Sequence, residues 1–195
     1  MREARDLDWR KITVFHLDEY LGMTDQHPAS FRKYLKERIL NYVKPGNVYL
    51  LNGDAADAEK EVERYASLLQ AADIDLACIG IGENGHIAFN DPPVADFQDP
   101  RLVKIVELDP ECRQQQLGEG WFATLEDVPS HALSLTVPAI MRSKTISCVV
   151  PDKRKADAVY NTVNAEISEK CPATILRTHP DCTLFIDKNS AEKLI

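Results

Sequence analysis

Two short stretches hold most of the residues able to do chemistry. The first, Phe15-His16-Leu17-Asp18-Glu19-Tyr20, sets two adjacent carboxylates just after an apolar, β-branched run. A carboxylate partly withdrawn from water is harder to ionise, so its pKa moves toward the range useful for taking a proton beside a carbonyl. The competing reading has Asp18 capping a turn and Glu19 facing solvent. The second stretch runs Ile79-Gly80-Ile81-Gly82-Glu83-Asn84-Gly85-His86-Ile87-Ala88-Phe89-Asn90-Asp91-Pro92-Pro93. Its G-x-G-x-x-G spacing is not a dinucleotide fingerprint. Pro92 and Pro93 stop the helix that would have to open there, and no strand ending in an acid follows at the needed distance. The glycines instead let backbone N–H groups come close to a ligand. His86 adjoins that platform, with Asn84 and Asp91 near enough to orient its ring and fix its tautomer. A lone histidine is usually structural, but a glycine-rich loop at a strand end favours the catalytic reading.

His16, Asp18, Glu19, His86 and Asp91 are all types that bind metals, yet no pair has a spacing that geometry singles out, so no metal is expected. His27 and His179 each precede a proline and read as turn residues.

These stretches need a scaffold. Short apolar runs at Ile12–Phe15, Val48–Leu51, Leu76–Ile79, Ser147–Val150 and Thr183–Ile186 read as strands, and their unbroken apolar character predicts burial on both faces. Segments of helical period separate them at Ala29–Val43, Ala55–Ala71 and Lys153–Val163. Pro28 is expected in the first turn of the first helix and Asp54 at the N-cap of the second. This alternation predicts one α/β domain over residues 1–195, a Rossmann-like, doubly wound, mainly parallel sheet with helices on both faces. In such sheets ligands gather beyond the carboxyl ends of the strands, which is where both chemical stretches lie.

The chain has 195 residues, 44% hydrophobic and 28% charged, with 31 Asp and Glu against 23 Lys and Arg, for a net charge of −8. That sign opposes backbone-driven nucleic-acid binding, and no apolar run is long enough to span a membrane. The charged start offers no export signal, so the cytoplasm is expected. Five cysteines without a C-x-x-C spacing read as reduced and mostly structural.

Between about Ile12 and Asp187 the sequence resembles the glucosamine-6-phosphate deaminase family, within a sugar-phosphate isomerase-like group that includes the 6-phosphogluconolactonases. The resemblance rests on Phe15–Tyr20 with His27-Pro28-Ala29-Ser30-Phe31, on Gly82–Asn90, on Ala132-Leu133-Ser134-Leu135-Thr136-Val137 and on Leu176-Arg177-Thr178-His179-Pro180. It implies an aldose–ketose isomerase and deaminase, a hydrolase acting on an amino-sugar phosphate. Such an enzyme converts glucosamine 6-phosphate to fructose 6-phosphate and ammonia in amino-sugar catabolism, without a cofactor. Asp18 matches the enolisation base, and His86 the histidine that assists opening of the pyranose ring. Asn84 stands where the family usually has Asp, and Asp91 where it usually has Glu. Glu19, Gly82, Gly85, Arg113, Arg154 and Lys155 are the expected substrate-binding residues. Of these, Arg113 only neighbours the place of the family's phosphate-binding arginine, and the phosphate-binding lysine falls at Lys155 or Arg154.

The resemblance also implies that a strand, a phosphate loop and a helix precede this segment in relatives, so the chain is expected to be N-terminally incomplete and a weak catalyst. The alternatives are a 6-phosphogluconolactonase-like hydrolase and a non-catalytic sugar-phosphate-binding homologue. A small-molecule sugar phosphate is the expected partner. Assembly into a homo-oligomer stays open.

Overall fold

The computed structural model describes residues 6–118 and 120–194. Two parallel sheets and one antiparallel sheet make up its β structure. In the first, β1 (Thr13–Phe15) pairs in parallel with β3 (Asn47–Tyr49). In the second, β7 (Thr145–Val150) lies between β4 (Leu76–Ile79) and β8 (Cys182–Ile186), again all parallel. All five expected strands are present, with no end shifted by more than two residues and Leu76–Ile79 unshifted.

The third sheet was not expected. β6 (His131–Leu135) lies between β2 (Asp18–Tyr20) and β5 (Val103–Glu107), antiparallel to both. β2 has no apolar run to announce it. It forms because its backbone pairs with β6, setting Asp18 opposite Ser134.

Burial on both faces is also corrected. β4 and β7 bury alternate residues such as Ala77, Ile79, Ile146, Cys148 and Val150, while Leu76, Cys78 and Val149 are exposed, as is Phe185 on β8. Alternation of this kind marks a sheet with one covered face among the described residues.

The first expected helix is two pieces: α1 (Phe31–Leu35) runs on as a π-helical turn over Lys36–Leu40. Ser30 caps α1, accepting from Lys33 N, so Pro28 lies ahead of the helix rather than in its first turn. In α2 (Ala58–Gln70) the cap is Asp57 and not Asp54, whose carboxylate instead pairs with Arg32. The third expected helix is a 3-10 turn at Lys153–Lys155 leading into α5 (Ala156–Asn164). Among the described residues two α-helices had no counterpart in the expectation, α3 (Pro110–Gly118) and α4 (Val137–Met141). None of the described helices is long and apolar enough to cross a membrane.

Tyr65 of α2 is fully buried, and its hydroxyl ties the helix to both strands of the small sheet. It accepts from His16 N at 2.5 Å and has His16 O and Tyr49 O within donating distance, at 2.9 and 3.0 Å. The main core gathers Leu51, Tyr65, Leu69, Ile79, Leu133, Ile140, Ile146 and Val159. A second cluster packs Tyr20, Phe89, Val106, Cys112 and Phe122 against the antiparallel sheet.

Candidate active site

Both chemical stretches leave strand ends, as the sheet geometry requires. Asp18 opens β2, separated from the end of β1 by two residues. The residue keeps some surface in solvent, but protein surrounds its carboxyl. Among the described residues, no hydrogen-bond donor reaches that side chain. Burial, followed by the charge of Glu19, therefore pushes Asp18 up to about 7.

Glu19, next in sequence, is treated in the opposite way. It is fully buried, and five donors meet its two oxygens: Tyr20 N and Phe31 N on one, Ser30 Oγ, Arg32 N and Arg32 Nε on the other. Arg32 reaches on to Met23 O and Asp54. A Cβ at Gly53 would sit 2.2 Å from Tyr20 O and 2.9 Å from Glu19 Cγ, so the packing there requires glycine. Expected to touch substrate, Glu19 instead fastens the start of α1 to β2. His16 is also buried, with both ring nitrogens unpartnered, and burial together with the nearby Arg32 charge lowers it to about 3.

The loop after β4 wraps around His86. A Cβ on Gly82 would lie 2.2 to 2.3 Å from three atoms of the imidazole, so Gly82 is the floor on which the ring rests. Gly85 turns the chain at φ +86, and Ala88 takes φ +51, a conformation a side-chain-bearing residue seldom adopts. Asn90 pins the loop by donating to Ile87 O and Leu135 O, and Phe89 N donates to Ser134 Oγ on β6. Among the described residues Asn84 makes no hydrogen bond to the ring. Its Oδ1 accepts from His86 N, and its Nδ2 donates to Asp91 Oδ1 at 2.9 Å. Asp91, completely buried, sets its Oδ1 2.7 Å from His86 Nδ1. Burial opposes ionisation of Asp91, but His86, Asn84 and the thiol of Cys112 outweigh it and hold the carboxyl below its ordinary range.

α3 supplies what sequence reasoning missed. Cys112 sets its thiol beside the Asp91 carboxyl, Gln115 accepts from Glu83 N, and Gln116 accepts from Tyr20 OH. One helix face thus braces both chemical stretches. The signal was faint, because α3 is largely polar with no apolar stripe, although Pro110 at its first position marks a helix start. Arg113 on the same helix turns away, donating to Leu125 O and Val128 O, which makes it a support for the segment before β6. Arg154 is brought to the glycine loop, 3.8 Å from Glu83, and also pairs with Asp152. Lys155 follows it at the start of α5.

The site thus offers a carboxyl poised near neutrality, a histidine set against a buried aspartate and the Arg154 guanidinium beside the glycine loop. The family model of glucosamine-6-phosphate isomerases/6-phosphogluconolactonase matches residues 1–185. The glucosamine-6-phosphate deaminase of Bacillus cereus (strain B4264) is 38% identical over 184 residues, covering 94% of this chain and 68% of that protein. A monomeric glucosamine-6-phosphate deaminase of solved structure superposes with a TM-score of 0.88 at 35% identity, over 96% of this chain and 77% of that one. The 6-phosphogluconolactonase of Thermotoga maritima shares the fold, with a TM-score of 0.74 at 21% identity over 94% of this chain and 76% of its own.

Proposed function

Because the chain belongs to the family of glucosamine-6-phosphate isomerases and 6-phosphogluconolactonases, we propose that it is a deaminase of glucosamine 6-phosphate. The sugar phosphate and one water give fructose 6-phosphate and ammonia. The C–N bond breaks with uptake of water, so the reaction is hydrolytic in its stoichiometry.

His86, held by Asp91, assists opening of the pyranose ring. Asp18 then takes the proton from C2 of the open-chain aldehyde and returns it at C1. Gly82 and Gly85 let the loop backbone approach the sugar, and Arg154 with Lys155 meets the phosphate. Glu19 and Arg113 act on structure, one holding the Asp18 edge and the other the segment before β6.

The observation that carries this reading is Asp18 itself. A donor-starved carboxyl at a strand end, pushed up to about 7, is matched to moving a proton to and fro near neutral pH. A lactonase opens an ester and has no need to exchange a carbon-bound hydrogen. The test is solvent deuterium exchange at C2 together with ammonia release, using the 195-residue chain and its Asp18→Asn variant. The variant should lose about 10²–10⁴-fold in exchange while still binding sugar phosphate. Exchange at the unaltered rate in Asp18→Asn would remove Asp18 from the reaction.

A further inference from the structure

His86 and Asp91 from the glycine loop and Cys112 from α3 bring a nitrogen, a carboxylate oxygen and a sulfur within 4.8 Å of one another, all three residues being buried. Two of these polar atoms lack a hydrogen-bond partner. His86 Nδ1 is 2.7 Å from Asp91 Oδ1 but not aligned for a hydrogen bond, and Asp91 Oδ2 is buried without a donor. Converging nitrogen, oxygen and sulfur atoms with unused lone pairs form the donor set of a three-ligand zinc site, whose fourth position takes water. In tetrahedral geometry with bonds of about 2 Å, the nitrogen and oxygen stand about 3.3 Å apart, so the His86–Asp91 pair has only to open by about half an ångström.

We propose that His86, Asp91 and Cys112 bind one thiophilic divalent cation of the Zn²⁺ class, and that its binding switches the site off by taking His86 out of use. As the sulfur–metal bond forms, the Cys112 S–H bond breaks and its proton leaves to solvent, while the proton on His86 Nδ1 that faces Asp91 passes through solvent to Nε2 and frees the Nδ1 lone pair. The thiolate and the Asp91 carboxylate then balance the two positive charges. Asn84, still donating to Asp91, supports the ligand from behind. Hard cations such as Mg²⁺ and Ca²⁺ want six or more oxygen ligands and find one carboxylate here, so the site discriminates by donor type. Loss of turnover on metal binding rests on the deaminase reading, whereas the binding itself does not.

Co²⁺ titrated into the metal-free 195-residue chain is the probe, read by thiolate-to-cobalt charge-transfer absorption. The band should saturate at one equivalent. It should vanish in Cys112→Ser with an unchanged circular-dichroism spectrum, weaken at least tenfold in affinity in His86→Gln, and persist in a Cys148→Ala/Cys182→Ala chain. If Cys112→Ser does not fold, a chain with Cys78, Cys148, Cys171 and Cys182 all replaced by Ala, which keeps Cys112 as its single thiol, decides the matter by retaining the band. Absence of the band from the unaltered chain, its survival in Cys112→Ser, or its loss from the double variant would each overturn the proposal. Zn²⁺ should stop ammonia release reversibly, with activity restored by a chelator. A chain that binds Co²⁺ as described but never releases ammonia would sink the deaminase reading and leave the metal site standing.

Discussion

Asp18 and Asp91 are the same residue type in two settings that both withdraw it from water, yet they are driven in opposite directions. Asp18 is pushed up to about 7 and Asp91 is held below its usual range. Burial opposes the charged form in both. What differs is the polar company: no donor reaches the Asp18 carboxyl among the described residues, whereas Asn84 donates to Asp91 and the His86 ring and the Cys112 thiol lie against it. Glu19 extends the contrast, since it adjoins Asp18 in sequence and meets five donors. Donor count, rather than depth, separates the carboxyl that can trade a proton from those that hold structure or orient a ring.

The contrast can be broken most forcefully at its donor-rich end. Glu19→Gln leaves the buried Arg32 facing a neutral amide and should lower unfolding free energy by about 3–5 kcal/mol in urea melts. A loss below about 1 kcal/mol would mean that Asp54 alone satisfies Arg32.

The donor-poor end predicts a pH dependence of definite sign. With Asp18 raised from 3.8 to about 7, the folded chain holds a proton there that the unfolded chain has released. Stability therefore falls as pH rises through that window, and the full penalty is present above about 7. Asp18→Asn should be the more stable protein at pH 8, by about 2–4 kcal/mol, and this advantage should fade as pH approaches 4. Comparing the variant with the parent cancels the contribution of buried His16, which runs the other way below its ordinary pKa. Equal stability at pH 8 would show that Asp18 is not strained by its charge.

Gly82→Ala tests the floor beneath the ring. The added methyl cannot coexist with the imidazole where it rests, so His86 must swing off Asp91, and turnover should fall about 10²-fold while the fold persists. Smallest is Asn84→Ala, which removes one of the donors to Asp91 and should cost about 1–2 kcal/mol of stability. An effect as large as that of Glu19→Gln would show that one donor, and not the set, controls Asp91.

How far the sequence could be read follows from which interactions are local. β4 was legible to the residue because Leu76–Ile79 is a compact apolar run, and the glycine loop because its turn chemistry lies within one short segment. The antiparallel sheet was not legible, because Asp18-Glu19-Tyr20 becomes a strand only through its pairing with β6, more than a hundred residues away. Asp54 was a reasonable cap that tertiary structure reassigned to Arg32. The candidate site divides the same way. Asp18, His86 and Asp91 could be singled out from their neighbours, whereas the roles of Cys112, Gln115 and Gln116 depend on how α3 lies across both stretches. The different fates of Asp18 and Glu19 depended on donors from Ser30 and Arg32 that only the folded chain delivers.

The Tyr65 hydroxyl gives the site a clock. The amide of His16 is held by a phenol from α2 rather than by a strand partner, so its deuterium uptake reports the detachment of that helix from the Asp18 edge. If the helix lifts rarely, the His16 amide exchanges as slowly as the core of β7, and the carboxyl two residues on stays aimed between turnovers. If the helix lifts often, the same amide exchanges early, and the fraction of time the edge spends docked sets a ceiling on how many encounters with substrate can be productive.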